Sequence, residues 1–297
     1  RPLRPLRCSV LHGGVRVLPA GGAGARTGTR PPTATDSPVN ARGPLEPGEA
    51  VLLIARKKRR YLVDLVTGDE FHTHSGVVPH DELIGAEEGA TIRSSRGMVF
   101  TKVRPTHTDI VLKKPRGAQV NYPKDIGPNL VIADLFPGAR VLESGLGSGA
   151  LSTALLRAGA EITGYEIRDD FEARARTNVE RFLGGDALAG YRTEVRDVYQ
   201  GIEATDLDRV VLDLPEPWQV VPHATSALRR GGILVAYTPS ITQAARLREV
   251  LDDSPFGMAE TLEVLNRGWH VEGQAVRPDH RMVAHTGFLT HARLLAS

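Results

Sequence analysis

Two kinds of hydrophobic patterning divide the chain. Between residues 43 and about 104, apolar positions come in short runs separated by turn formers. Residues 51–54 and 61–66 flank the basic run 56–60, which predicts a hairpin with a basic tip. Residues 71–74 and 77–78, divided by Ser75 and Gly76, continue the strand-and-turn pattern. Residues 91–92 and 98–100 add a further pair around Arg96 and Gly97. This predicts a small β domain over 44–106. From about Asn121 the pattern changes, and apolar runs of strand length alternate with helical stretches. Strands are expected at 141–143, 161–166, 191–195, 209–213 and 232–237, and helices at 150–157, 169–182, 219–228 and 241–251. Such alternation predicts an α/β fold with a parallel sheet covered on both faces. Residues 259–266 and 283–295 carry strand-like runs with no helix between them, which fits a closing antiparallel pair. The α/β domain is placed at 107–297.

The first 43 residues follow neither pattern. They are rich in Gly, Pro and Thr, and seven arginines face one acid, Asp36. Few apolar residues and repeated Pro and Gly predict a disordered basic tail. A start on Arg1 rather than Met fits a fragment or an extended reading frame. Cys8 is the single cysteine, which excludes an intrachain disulfide and a cysteine-based zinc site and fits a reducing, cytoplasmic setting. No apolar run approaches the ~18 residues of a membrane span. Net charge is only +2 with a pI near 8.8, so local basic patches carry more information than the total.

The chemistry concentrates after the first α/β strand. Val141 and Leu142 lead into Glu143, then Gly145, Gly147 and Gly149, and a helical stretch begins at Ala150 and Leu151. A strand, a glycine turn and a helix form a nucleotide-sized crevice in an open parallel sheet. Glycine permits positive φ and close approach of a ligand, and the helix start offers free N–H groups. The spacing G-x-G-x-G differs from the dinucleotide G-x-G-x-x-G, and the acid Glu143 suits a cationic or amine-bearing ligand better than a pyrophosphate. S-adenosylmethionine carries both a sulfonium and an ammonium. Glu166 ends the second strand 17 residues after Gly149, close to the ~20 expected of a carboxylate that holds a ribose diol. Asp197 follows the third strand, where contact with an adenine amino group and capping of the next turn fit its position equally well. Asp213 closes the fourth strand ahead of Pro215, Pro217 and Trp218, a rigid polar corner at the carboxyl edge of the sheet. Trp218 itself fits core packing.

These motifs resemble those of class I S-adenosylmethionine-dependent methyltransferases with a Rossmann-like sheet. In detail they are similar to the tRNA (adenine-58-N1)-methyltransferase family. The resemblance is strengthened by residues 59–63, 71–74, 79–85, 119–125, 267–273, 277–282 and 285–288, and it runs from Gly43 to the end. It implies that Ser148, Gly149, Ala150 and Leu151 meet the methionine end of the cofactor. It also implies that Glu166 holds the ribose hydroxyls, Phe171 lies beside the adenosine, Asp197 meets the adenine, and Asp213 stands between cofactor and target base. Ser144 and Leu146 depart from the small or β-branched residues usual in the family, and the connection at 158–160 is short.

The implied reaction is methyl transfer from S-adenosyl-L-methionine to N1 of adenine 58 in the T-loop of tRNA. N1 already has a lone pair, so the site must aim it rather than deprotonate it, and Asp213 would accept from N6 and stabilise the growing positive charge. The target nucleotide would have to be turned out of its loop. Tyr237, at the end of the fifth strand, fits a stacking residue and a strand-end core aromatic equally. Arg277 and His280 are placed against tRNA, and the basic runs 56–60 and 113–116, with Arg277 and Arg281, against phosphates. The resemblance also implies a homotetramer. His72, His74 and His80 lack the Cys or paired acids of a metal site, and no metal is expected. Other readings are a class I methyltransferase acting on another RNA, a protein or a small molecule; a nicotinamide-dependent oxidoreductase, which calls for a different glycine spacing; and a non-catalytic tRNA-binding subunit, which is expected to lack the glycine turn and the acids.

Overall fold

The structure, a computed structural model of the chain, describes residues 43–56, 59–113 and 121–295. The basic tail, Cys8, Lys57, Lys58 and residues 114–120 lie outside the described residues, as do the expectations placed on them.

The first hairpin joins β1 (Ala50–Ala55) to β2 (Arg60–Asp64), and Leu52 faces Leu62. β3 (Glu70–Thr73) and β4 (Gly76–Pro79) form a separate antiparallel ribbon. β5 (Thr91–Arg93) pairs with β6 (Val99–Val103), which adds to the free edge of β1 to give the order β2-β1-β6-β5. Alternating positions Val51, Leu53 and Ala55 turn inward with Val63, Ile92 and Phe100, and Leu45, Leu65, Val78 and Leu83 close the cluster. His80 is buried there, its Nδ1 accepting from the Val66 N–H at 3.1 Å, which makes it a structural residue of this sheet. Two ion pairs tie the sheet to helices later in the chain. Arg60 meets Asp109 on α1 (His107–Lys113) at 2.7 Å, and Asp64 meets Arg181.

After α1 comes α2 (Pro123–Ile132) and then the larger sheet. Its strands and helices are β7 (Arg140–Ser144), α3 (Ala150–Arg157), β8 (Glu161–Glu166), α4 (Asp169–Leu183), β9 (Tyr191–Val195), β10 (Leu207–Asp213), α5 (Val221–Ala227), β11 (Leu228–Thr238), α6 (Ile241–Asp252) and β12 (Phe256–Glu263). A hairpin of β13 (Trp269–Glu272) and β14 (Ala275–Pro278) then precedes β15 (Phe288–Leu294). The strand order is β12-β15-β11-β10-β7-β8-β9; β7 to β11 run parallel, and β15 is antiparallel to both of its neighbours. Apolar faces of α2, α3 and α4 cover one side through Ile126, Leu151, Leu155, Ala175 and Val179, and α5 and α6 cover the other through Val221, Ala224, Leu247 and Leu251. Local signals fix the ends: α4 carries Asp169, Asp170 and Glu172 in its first turn, and α6 starts with a capping box of Ser240 and Gln243.

The closing antiparallel pair expected near the end is present as β12 and β15. The helix expected at 219–228 is divided. Pro217 opens a 3-10 turn, Pro222 restarts a seven-residue α5, and Leu228 already belongs to β11. α2 is masked in the sequence because Gly127 and Pro128 sit inside it, and both disfavour helix. The β13–β14 hairpin is masked as well. Its residues are mostly exposed, so no buried face imposes an alternation.

Candidate active site

In the larger sheet β8 and β9 lie on one side of β7 and β10 on the other. The chain therefore reverses direction between β7 and β10, and a crevice opens there at the carboxyl ends. Every acid singled out in the sequence ends at or near that edge.

The glycine turn forms one wall. Gly145, Gly147 and Gly149 all have positive φ, at 88°, 51° and 71°. At Gly145 a side chain is excluded by the neighbouring strand, because a Cβ would lie 2.1 Å from the Asp213 carbonyl oxygen. At Gly149 a Cβ would meet the Ala175 carbonyl oxygen on α4 at 2.9 Å. At Gly147 nothing stands within 4 Å of a Cβ, so this residue faces open space. The Gly147 N–H donates to Glu166 Oε2 at 3.2 Å, and the Arg168 N–H donates to Oε1 at 3.2 Å. The turn and the end of β8 are thus locked together. Gly149 caps α3, where Ala150 and Leu151 begin the helix, and the Ser148 carbonyl accepts from Asn178 Nδ2 at 3.0 Å.

The departures at Ser144 and Leu146 are accommodated locally. Ser144 Oγ donates to the Tyr165 carbonyl at 3.2 Å. Leu146 is buried against Gly164, where a Cβ would come 3.0 Å from its Cδ2, so a glycine on β8 makes room for the larger side chain.

The floor is acidic and dry. Glu143 is 1% exposed, and neither carboxylate oxygen makes a hydrogen bond of ordinary geometry among the described residues. Burial pushes its carboxyl up to about 8; the charge of Asp213 adds to this, while the neighbouring Ser152 opposes it. Ser152 Oγ in turn accepts from the Tyr191 hydroxyl at 3.0 Å, in a buried polar row under the crevice. Asp213 is partly buried and pushed up to about 7 by desolvation, then by Glu166. Three acids converge here with no basic side chain bonded to any of the three carboxylates among the described residues. Such an arrangement is costly unless a cation enters it.

Asp213 does have one partner. Asn121 Nδ2 donates to its Oδ2 at 3.1 Å. Asn121 is 6% exposed and immediately precedes Tyr122, the cap of α2. The sequence assigns Asn121 no role; its only signal is its place in the segment 119–125 that carries part of the resemblance. Behind it, Lys124 Nζ meets Asp125 Oδ1 and the Val264 carbonyl, both at 2.7 Å, and Thr286 Oγ1 donates to Asp125 Oδ2 at 2.6 Å. The start of α2 is thereby fastened to the segment before β15.

The remaining candidate residues lie around this crevice or away from it. Asp197 caps its own turn, with Oδ1 accepting from the Tyr199 N–H at 3.0 Å and Oδ2 from Gln200 Nε2 at 3.3 Å. Phe171, on the first turn of α4, has the Arg168 guanidinium 4.0 Å from its ring centroid and that of Arg174 at 5.2 Å. Tyr237 is 2% exposed; its hydroxyl donates to the Thr286 carbonyl at 2.5 Å, and its ring lies against Gly287. A stacking contact by Tyr237 would require the Thr286–Gly287 segment to move aside, so in this structure it is a core aromatic. Arg277 lies on the exposed hairpin opposite His270, and His280 lies just beyond it, outside the strands whose ends carry the acids. Trp218 packs at the edge of the core on the α5 and α6 side.

A sheet of seven strands closed by a reversed strand, with a glycine turn after the first and acids at or next to the ends of the first, second and fourth, defines a class I methyltransferase. Solved structures agree. One described as an S-adenosylmethionine-dependent O-methyltransferase from Thermotoga maritima superposes with a TM-score of 0.81 at 30% identity, covering 85% of this chain and 95% of that one. The tRNA (m1A58) methyltransferase TrmI of Aquifex aeolicus superposes at 0.76 with 29% identity, covering 86% and 100%. The family described as tRNA methyltransferase complex GCD14 subunit matches residues 101–277, and the TrmI-like N-terminal family matches 43–92. The tRNA (adenine(58)-N(1))-methyltransferase TrmI of Thermus thermophilus is 38% identical over 82% of this chain and 96% of its own length. A TrmI of Methanocaldococcus jannaschii, named for adenines 57 and 58, is 34% identical over 82% of this chain and 94% of its own length. The chain belongs to the TrmI-like family of tRNA (adenine-58-N1)-methyltransferases.

Proposed function

We propose that this enzyme transfers a methyl group from S-adenosyl-L-methionine to N1 of adenine 58 in the T-loop of tRNA. The observation that carries the reading is the set Glu143, Glu166 and Asp213, converging at the strand ends beside the glycine turn with no basic side chain bonded to them among the described residues. That donor set fits a ligand with two positive centres. When bound, the cofactor supplies an electrophilic methyl group on a sulfonium.

The chain's own part is to bind, orient and exclude water. Ser148, Gly149, Ala150 and Leu151 are assigned to the methionine end, with Glu143 beneath it and Gly145 and Gly147 in the wall. Glu166 already holds the Gly147 N–H, which leaves carboxylate lone pairs for ribose hydroxyls. Phe171 and Asp197 are assigned to the adenosine. Asp213 is assigned to the N6 amino group of the target base. N1 brings its own lone pair, so positioning replaces proton abstraction; as N1 gains the methyl it becomes cationic, and a desolvated carboxylate on N6 stabilises that charge.

We assign the small β domain at 44–106 and Arg277 of β14, with His280 just beyond it, to the tRNA. Trp269, Val271 and Val276 are 59%, 70% and 59% exposed on the β13–β14 hairpin. An apolar arm of this kind supports a homo-oligomer, a tetramer on the family resemblance. No described helix is long and apolar enough to cross a membrane. The tRNA substrate supports a cytoplasmic enzyme.

The test is transfer of labelled methyl to unmodified tRNA, with the modified base mapped by primer-extension arrest. A stop at position 58 supports the reading. Labelling at another site, or none with the cofactor bound, sinks it and turns the search to another RNA, a protein or a small molecule.

A further inference from the structure

Asn121 has two polar ends, and the structure uses one. Its Nδ2 is committed to Asp213 Oδ2 at 3.1 Å. Its Oδ1 is sealed from solvent and meets no donor among the described residues. The orientation of the amide follows from chemistry, since a carboxylate accepts and only the nitrogen end of a carboxamide donates. A buried carbonyl oxygen without a partner opposes folding unless a ligand supplies the donor. The position is also held firmly. Asp125 N–H and Ile126 N–H both bond the Tyr122 carbonyl, and the Lys124, Asp125 and Thr286 contacts pin the same turn from behind.

We propose that Asn121 is a specificity-determining residue that brackets the exocyclic amino group of the target adenine together with Asp213. One N6 hydrogen goes to the carboxylate oxygen that Asn121 leaves free, and the other to Asn121 Oδ1, which the entering base must first uncover. The inference rests on the methyl-transfer reading above. A base with two donors at C6 satisfies both acceptors, and a base lacking the amino group leaves both unpaired. When N1 is methylated, its positive charge spreads to N6, both N–H groups become stronger donors, and the bracket tightens as the reaction proceeds.

The experiment is single-turnover methyl transfer to tRNA carrying either adenosine or purine riboside at the target position. Purine riboside keeps N1 and lacks the amino group. The enzymes are wild type, Asn121→Ala, Asp213→Ala and the double variant, each followed to completion. Asn121→Ala is expected to slow transfer to adenosine by about five- to twentyfold, the loss of one buried hydrogen bond. In the Asp213→Ala background a smaller slowing should remain, because the carboxylate that orients the amide is gone. On purine riboside it should change the rate by less than about twofold, as expected of uncoupled sites. Equal slowing on both bases overturns the proposal and makes Asn121 a support of the fold. Loss of its effect once Asp213 is gone overturns it too, and makes Asn121 a holder of the carboxylate. Wild-type transfer to adenosine separates the two claims: its absence removes the reaction and this inference together, and its presence with a base-independent Asn121 effect removes the inference alone.

Discussion

Gly145 and Asp213 touch through their backbones: a Cβ on Gly145 would stand 2.1 Å from the Asp213 carbonyl oxygen. The first glycine of the turn is therefore what allows the end of β7 to lie against the end of β10, and this contact forms the base of the crevice. Gly145→Ala adds both that clash and a φ of 88°. Gly147→Ala adds only a φ of 51°, with open space around the new methyl. A left-handed φ costs about 1–2 kcal/mol for an L-residue. Gly147→Ala should stay near that figure in urea unfolding, and Gly145→Ala should exceed it and weaken cofactor binding by about tenfold or more. Equal losses in the two variants would show that the contact with Asp213 is not what excludes a side chain.

Asp213 is pushed up to about 7 by burial, with Glu166 adding to it. Below that pH the group holds a proton and no longer offers a negative charge to a developing cation. With saturating cofactor, whose cation holds Glu143 ionised, transfer should rise with pH as Asp213 loses its proton and level off by about 7 or below, because a bound cation also favours the Asp213 carboxylate. Asp213→Asn should abolish this limb, slow transfer at saturating cofactor by about 10²–10³-fold, and weaken cofactor binding modestly, since a carboxylate that the cation favours must favour the cation in return. A pH profile unchanged by the substitution would remove Asp213 from the chemistry.

Much of this site is legible in the sequence because its chemistry is written in short local motifs. Glycines at alternate positions after an apolar run, and acids ending successive strands, give strand ends a signature that needs no tertiary information. What escapes depends on contacts far apart in the chain. Asn121 reaches Asp213 across 92 positions, and Thr286 reaches Asp125 across 161. Gly164 gives no hint in sequence that it makes room for Leu146. Tyr237 and Asp197 each have two readings on position alone. Tyr237 is enclosed by Thr286 and Gly287, and Asp197 caps its own turn.

The Lys124–Asp125 pair is buried on both sides, at 6% and 2% side-chain exposure. Removing one partner of such a pair leaves the other charge without compensation. Asp125→Asn should destabilise the protein by about 3 kcal/mol or more in urea unfolding. Thr286→Val removes one hydrogen bond to the same carboxylate and should cost about 1 kcal/mol. A loss below that of Thr286→Val in the Asp125 variant would contradict a clamp centred on the ion pair.

Arg277 lies on the exposed β14 edge, paired in register with His270. If it meets a phosphate, Arg277→Ala should weaken tRNA binding without regard to the base at the target position. The plot of log K against log salt concentration should also lose about one unit of slope, the signature of one fewer released counterion. An unchanged slope would place the arginine off the RNA.

Glu143 offers a separate check of the dry floor, read on stability rather than turnover. Its carboxyl is raised from 4.5 to about 8 by burial, with the charge of Asp213 next. Between those two values the folded protein binds a proton that the unfolded chain has released, so stability attributable to this group falls as pH rises through the window. Below about 4.5 both states hold the proton and the effect vanishes; above about 8 both have lost it and the penalty is complete. Glu143→Gln carries no charge at any pH. Measured without cofactor, its unfolding free energy relative to wild type should therefore climb between about pH 5 and 8, by on the order of a few kcal/mol. Comparing the two proteins cancels the titration of every other group, so the slope of the difference belongs to Glu143 and its neighbours. A difference that stays flat across this range would mean that the carboxylate is solvated, and that the crevice floor is wet.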